Sequence, residues 1–222
     1  MRAFYTAPLV LLIVCAAAAP ARAQEDSRWE IAIGSGWTSG WSLGRTQALA
    51  RQPNGTPLVL FETETALDAS PPLVADLGVR LSRSIQVDAG FSYRPADLTT
   101  TIRSDADIAA TQVARERVTQ LSIEAGLLVH FERWRIGARV TPFASGGGAY
   151  LRELHESRTL IETGQAYRIG GGFSVPVRTR RSGMKTVGVR AEVRAEWRRG
   201  GLALDDDLHV VPAVRAMMYA RF

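Results

Sequence analysis

The stretch KTVGVRAEVRAEWRRG, from Lys185 to Gly200, alternates apolar and charged residues at every second position. Val189 and Val193 belong to its apolar set, whereas Arg190 and Glu192 belong to its charged set. Period-two alternation is typical of a β-strand with one apolar and one polar face. The density of charge leaves two interpretations: the polar face is open to water, or it points into an enclosed space.

The same alternation recurs along the chain and predicts eight strands in total. Each is long enough for the roughly 9 to 11 residues that a tilted strand needs to cross a bilayer. The other predicted strands are Trp29–Trp37, Leu73–Leu81, Ile85–Tyr93, Leu121–Phe131, Trp134–Tyr150, Tyr167–Val175 and Val210–Phe222.

The predicted links between strands alternate strictly between short and long. Short periplasmic turns and long outer loops are the asymmetry of an outer-membrane barrel, and an even strand number places both termini on the periplasmic side. The short links are Leu81–Ser84, the turn around Arg133 and Arg178–Lys185. The long links are Thr38–Pro72, Pro95–Arg115, Arg152–Gly164 and Arg199–Asp207.

The first long link contains a second alternating segment, Leu58–Leu67, after the turn signal Pro53-Asn54-Gly55. Ser42–Leu67 is therefore either a hairpin that extends the first two strands beyond the membrane or two further barrel strands, which would make ten. The link Pro95–Arg115 is rich in Asp, Thr and Arg, and its composition predicts a mobile polar surface loop.

The aromatic residues fall at the ends of the predicted strands. Two aromatic belts at the two membrane interfaces are characteristic of outer-membrane barrels. Trp29, Phe131, Trp134 and Phe222 fall at the periplasmic boundary, and Trp37, Tyr93, Tyr150, Tyr167 and Trp197 fall at the outer boundary.

These patterns predict an all-β protein: a closed antiparallel transmembrane β-barrel of eight strands, with ten as the alternative. A secreted β-sandwich also has alternating strands, but it does not explain the link lengths or the belts. In an eight-stranded barrel the charged faces point inward, where ion pairing fills the interior, or else they line a water-filled pore. The predicted inward charges are Glu30, Asp76, Arg80, Asp88, Glu124, Arg139, Arg168, Arg190, Glu192, Arg194, Glu196 and Arg215.

The N-terminus has the form of a secretory signal peptide, with a short basic start, an apolar run and the sequence Ala21-Arg22-Ala23. We predict cleavage after Ala23, which divides the chain into a signal peptide, residues 1–23, and a barrel domain, residues 24–222. This cleavage would remove Cys15, the single cysteine of the chain. Lipidation of Cys15 is not expected, because Val14 before it is not the small residue that a lipidation signal has. The chain has a formal net charge of +5, but its basic residues are interleaved with acidic residues rather than clustered. This pattern argues against nucleic-acid binding.

The signal peptide, the segment TPFASGGGAYL at Thr141–Leu151 and the end AVRAMMYARF resemble the small outer-membrane β-barrel proteins of Gram-negative bacteria, the OmpA/OmpX-type and OmpW-like group. In that group a C-terminal Phe on an alternating last strand is a sorting signal, so the resemblance implies that Phe222 is read by the barrel assembly machinery. It also implies an outer-membrane location and contact with lipid and lipopolysaccharide. We expect a monomer.

The sequence is less informative about activity. The first hypothesis is a structural or surface-interaction protein acting through long outer loops, and the alternative is a small porin-like channel with an Arg/Glu-lined lumen. A third is a lipid A-modifying hydrolase, because His155-Glu156-Ser157 with Glu162 nearby has the spacing of a Ser-His-Glu arrangement. We predict no enzymatic activity, no cofactor and no metal, since His130 and His209 lie far apart in the sequence.

Overall fold

The computed structural model describes residues 28–52, 57–103, 112–137, 139–156, 160–179, 186–202 and 208–222. The signal peptide predicted over residues 1–23 lies outside these residues. No helix in the described part of the chain is long and apolar enough to cross a membrane. The elements are β1 (Trp29–Thr38), β2 (Trp41–Arg51), β3 (Pro57–Leu67), β4 (Leu73–Arg80), β5 (Ile85–Arg103), β6 (Gln112–His130), a 3-10 turn (Glu132–Trp134), β7 (Thr141–His155), β8 (Ile161–Thr179), β9 (Thr186–Gly200) and β10 (His209–Arg221).

Eight of the strands form a closed antiparallel ring in the order β1-β4-β5-β6-β7-β8-β9-β10. The ring closes because β1 pairs on both sides: Ile33 lies opposite Ala75 of β4 and opposite Met218 of β10. A closed ring leaves no sheet edge with unpaired N–H and C=O groups. The prediction of a closed eight-stranded barrel is confirmed.

The hairpin of β2 and β3 stands outside the ring. β5 pairs with β4 up to Tyr93 and then pairs with β3 from Leu98 to Arg103, so the hairpin extends the barrel wall where β4 is absent. The interpretation of Ser42–Leu67 as an extending hairpin is therefore confirmed, and the ten-stranded alternative is wrong. We call this end of the barrel the hairpin end, and the opposite end, with Trp29 and Phe222, the terminal end.

The loop predicted over Pro95–Arg115 is largely strand. β5 continues to Arg103 and β6 begins at Gln112, with Leu98 opposite Glu116. The composition was misleading because β-branched Thr residues favour strands as well as polar surfaces. An ion pair across the two strands joins Asp97, which was assigned to the loop, to Arg117, with Nε 3.7 Å from Oδ1.

The fifth strand was predicted to begin at Trp134, and this is wrong. The chain turns from Phe131 to Val140, and β7 begins at Thr141. The Trp134 amide donates to the Phe131 carbonyl at 3.0 Å, and the two aromatic rings stack at 5.0 Å. Gly137 then takes a left-handed φ of 64°, which breaks the strand although apolar residues continue to alternate.

The apolar faces of the ring point outward and the charged faces point inward. Ile33, Ile123, Val193 and Met218 are 58–66% exposed on the outer surface. The charged residues next to Ile123 and Val193, which are Glu124, Glu192 and Arg194, are buried. In a β-sandwich the apolar faces would be internal. The sandwich alternative is therefore wrong, and the outer surface is suited to lipid.

The residues predicted for the aromatic belts lie mainly on this outer surface. Phe131 and Trp197 are half-buried, and Tyr167 of β8 lies directly opposite Trp197 of β9. The Phe222 amide donates to the Trp29 carbonyl at 2.9 Å, so the two chain ends meet at the terminal end. The exposed members are Trp29, Trp37, Tyr93, Trp134, Tyr150, Tyr167 and Phe222.

We predict that the barrel folds without the hairpin. Replacing residues 42–66 by a short Gly-Ser linker leaves every strand of the ring paired, and Trp41 and Leu67 already lie opposite each other. The shortened chain should therefore keep a heat-shifted band on a gel and the β-sheet circular dichroism of the full chain. Loss of both signals would mean that the ring needs the hairpin in order to fold.

Candidate functional site: the charged network inside the barrel

The interior of the barrel holds two groups of ion pairs and hydrogen bonds, one around Glu124 and one around Glu30, which together we call the inner network. The centre of the first group is Glu124 of β6, which is 3% exposed. Arg215 donates to it at 2.7 and 3.1 Å and Arg194 at 3.1 Å from each of two nitrogens. Arg168 forms a third ion pair with Glu124. Three guanidinium groups from three strands thus converge on one carboxylate.

Arg168 continues the inner network from Glu124 to Asp88. Its Nη2 donates to Asp88 Oδ2 at 2.8 Å. Long arginine side chains fit here because the strands opposite carry glycines. A Cβ on Gly126 would lie 2.9 Å from Arg168 Nη2, and a Cβ on Gly170 would lie 2.7 Å from Arg194 Cβ. The glycines therefore create the room that the charges occupy.

At the terminal end, the inner network is organised around Glu30 of β1. Arg190 Nη1 donates to Glu30 at 3.0 Å, Arg221 Nε at 2.6 Å and Gln86 Nε2 at 3.1 Å. Arg190 also donates to Asp76 at 2.8 Å. Because β1, β9 and β10 all contribute to this group, it holds the two ends of the ring together.

At the hairpin end, Glu196 accepts from Arg194 at 2.5 Å and from Arg198 at 2.7 Å. Arg198 also donates to Gln120 at 3.3 Å, and Gln120 bonds Glu153 of β7. The Leu202 amide donates to Glu153 at 2.6 Å. Taken together, the two groups of the inner network lie between Glu30 at one end of the barrel and Leu202 at the other.

The base of the hairpin closes the barrel above this group. The Trp41 ring lies over two guanidinium groups, 5.4 Å from Arg94 and 4.6 Å from Arg198. Arg94 donates to Asp68 O at 2.9 Å and to Ser39 O at 3.2 Å, one carbonyl on each side of the hairpin. An apolar cluster covers this end, formed by Leu43, Leu67, Ala96, Val118 and Leu202.

The inner network leaves little room for solvent. The cavity beside Glu124, Arg194 and Arg198 has a volume of about 20 Å³. That volume accommodates about one water molecule. The paired charges therefore fill the middle of the barrel, and the hairpin end is closed above them.

The structure brings together most of the charges predicted to point inward. Glu192 bonds the Ser145 hydroxyl. Arg80 lies at the terminal end, half-buried. Arg139 was placed wrongly: it lies in the turn before β7 and is exposed, because the strand to which it was assigned begins only at Thr141. The predicted charges buried inside the barrel are Glu30, Asp76, Asp88, Glu124, Arg168, Arg190, Glu192, Arg194, Glu196 and Arg215.

Several members of the inner network were not predicted. Each has the inward parity of its strand. The predicted strands stopped one to three residues short of Arg94, Gln120 and Glu153. They already contained Gln86, Arg198 and Arg221, which were not counted among the inward charges. The unpredicted members are Gln86, Arg94, Gln120, Glu153, Arg198 and Arg221.

The candidate hydrolase residues lie outside the inner network. His155, at the end of β7, has its Nδ1 2.9 Å from the Glu116 carboxylate rather than bonded to Glu156 or Glu162. Ser157 lies outside the described residues. In the described part of the chain, no group of three or more His, Cys, Asp or Glu side chains could hold a metal ion.

Comparisons with known proteins identify the fold. No protein-family model matches this sequence, and no curated protein sequence matches it. The outer membrane protein OprG from Pseudomonas aeruginosa is similar at a TM-score of 0.51 and 12% identity, over 88% of this chain and 96% of OprG. Neisserial surface protein A is similar at a TM-score of 0.52 and 11% identity, over 89% of this chain and 98% of that protein. The chain has the fold of small outer-membrane β-barrels.

We predict that Glu124→Gln destabilises the barrel by about 3 kcal/mol, because it leaves three buried guanidinium groups without their shared charge. Unfolding in urea from lipid vesicles measures this change. The matched control is Glu132→Gln, which removes an ion pair with Arg135 in an exposed turn and should cost at most about 1 kcal/mol. Equal effects of the two variants would show that the inner network does not stabilise the barrel.

Proposed function

We propose that this chain is an integral outer-membrane barrel with a closed interior, and that its role is contact at the outer surface through the hairpin. The filled interior carries this proposal. The inner network runs the length of the barrel, and Trp41 with its apolar cluster covers the hairpin end. Such an interior obstructs the wide aqueous path that a channel needs. It suits a rigid scaffold that holds a surface element.

The outer surface supports a membrane location. Apolar residues of all eight ring strands face outward, and Ile31, Ile169 and Val214 are 44–58% exposed. Burial of apolar surface is worth about 25 cal/mol per Å², so a band of this extent is stable only against lipid or a large partner. A closed ring has no unpaired backbone groups to prevent its insertion.

The hairpin supports the role at the surface. Four consecutive residues of β3, Leu58–Phe61, are 36–42% exposed, and Leu49 of β2 is 60% exposed. They lie beyond Glu62, where pairing with β5 ends, so within the described residues only β2 pairs with this part of β3. This outer part of the hairpin, Leu49 with Leu58–Phe61, which we call the hairpin tip, thus presents apolar side chains on both faces of a two-stranded ribbon. Exposed apolar patches of this kind mark interaction surfaces.

The second candidate, a small passive channel, is distinguished by conductance. We expect residues 24–222, refolded into a planar bilayer, to remain electrically silent, because paired charges fill the space that ions would need. A heat-shifted gel band confirms folding, and a large porin in the same bilayer confirms the assay. Steady discrete openings that change selectivity in Arg190→Ala would establish the channel instead.

We predict that the double variant Leu58→Ser, Phe61→Ser lowers the binding of cells displaying the protein to polystyrene beads by severalfold, since it removes apolar surface from the hairpin tip. The matched control is Arg45→Gln, a polar substitution at an exposed position of the same hairpin. Unchanged bead binding by the double variant would argue against a contact role for the tip.

The orientation is checked in the same cells. A cysteine introduced as Leu49→Cys should react with a maleimide that cannot cross membranes, because Leu49 is exposed at the hairpin end. Arg133→Cys, in the exposed turn at the terminal end, should react only after the cells are opened. The reverse pattern would place the hairpin in the periplasm and overturn the proposal.

A further inference from the structure

The terminal end of the barrel opens into a cavity of about 1240 Å³ lined by arginines. Five arginines line it, and Glu132 is the one carboxylate among its described lining residues. Glu132 is already paired with Arg135. The lining carries more positive than negative charge, although Arg221 is also paired, with Glu30. The lining arginines are Arg80, Arg83, Arg133, Arg135 and Arg221.

His130 marks this cavity as a binding site. It is 2% exposed and lines the cavity, yet neither Nδ1 nor Nε2 has a hydrogen-bond partner in the described structure. Its backbone is fixed, because its amide donates to Ser84 O at 2.7 Å. A buried polar group without a partner costs about 1–3 kcal/mol, so such groups usually meet a ligand or ordered water.

Arg80 lies beside His130 and also has a buried polar atom without a hydrogen-bond partner. Its Nε is buried without a hydrogen-bond partner, and no carboxylate in the described structure lies within ion-pair distance of it. The nearest inner-network acid, Glu30, already accepts from Arg190, Arg221 and Gln86. An imidazole N–H and a guanidinium group that face one cavity are complementary to the oxygens of a phosphate.

The cavity also extends over the rim of the barrel to the lipid-facing surface. Val129 and Trp134 line it, and they are 39% and 69% exposed. Trp134 is held in place by stacking on Phe131. A ligand that places an anion against His130 and Arg80 would therefore lie next to apolar surface. This combination of a basic mouth and an apolar rim is complementary to a lipid with an anionic headgroup.

We propose that the terminal end binds the phosphate of an anionic phospholipid, with His130, Arg80 and Arg133 around the headgroup and the acyl chains along Val129 and Trp134. The proposed function places the hairpin end outside the cell, so the lipid bound at the terminal end would belong to the periplasmic leaflet. Binding itself does not depend on that orientation. It can therefore be measured on the isolated protein, so its failure is distinguishable from failure of the surface role.

Native mass spectrometry of the refolded chain in detergent tests this site, with dihexanoyl phosphatidylglycerol as the probe and dihexanoyl phosphatidylcholine as the zwitterionic comparison. Wild-type protein should bind one phosphatidylglycerol in preference to phosphatidylcholine. His130→Gln and Arg80→Gln should each weaken that binding by about tenfold, the effect of losing one charge-assisted hydrogen bond. Arg133→Gln should weaken it severalfold without risk to folding, because Arg133 is exposed.

The matched control is Arg117→Gln, which removes one exposed positive charge at the hairpin end and should leave binding unchanged. Inorganic phosphate is titrated as a competitor. Displacement only at a large excess supports the lipid as ligand, and displacement at equal concentration supports the site with a soluble phosphate in place of the lipid. Equal binding of the two lipids, or losses no larger in Arg133→Gln than in Arg117→Gln, would overturn the proposal.

Discussion

Closure of the sheet on itself is the constraint on which the rest of this structure depends. Because β1 pairs with both β4 and β10, every strand of the ring has two neighbours and the ring itself has no open edge. Closure makes an apolar outer surface compatible with lipid, since the backbone groups are satisfied within the ring. It also fixes what lies inside: alternate side chains from eight strands converge on a narrow axis, and their volumes and charges must fit together.

The charges inside the barrel meet this demand by sharing partners rather than by forming isolated pairs. Glu124 accepts from Arg168, Arg194 and Arg215, and Arg194 in turn donates to Glu196. These three guanidinium groups thus have a counter-charge, which offsets much of the cost of removing them from water. Glycines on neighbouring strands provide the space for these side chains, because a side chain at Gly170 would collide with Arg194. The buried arginines are therefore matched both in charge, by carboxylates, and in volume, by glycines.

Much of the ring could be predicted from the sequence because its signal is local. Alternation of Val189 and Val193 with Arg190 and Glu192 defines the two faces of β9 within a few residues. The same argument failed where alternation persists without a strand, as from Trp134 to Val140, where Gly137 reverses the chain. It also stopped short of Arg94 and Glu153, since polar residues at strand ends are indistinguishable from loop residues. The pairing of β3 with β5 joins residues far apart in the chain, so no local pattern in the sequence predicted it.

The ring has one junction unlike the others. Neighbouring ring strands mostly follow one another in the chain, but β1 and β10 join residues at its two ends, and the Arg221–Glu30 ion pair spans 191 positions. Such a contact carries a large loop-closure entropy and slows folding. Until β10 arrives, β1 has an open edge that could pair with another chain. Assembly is therefore an all-or-none event decided by the last strand, and a chain that lost its final residues would remain an open sheet.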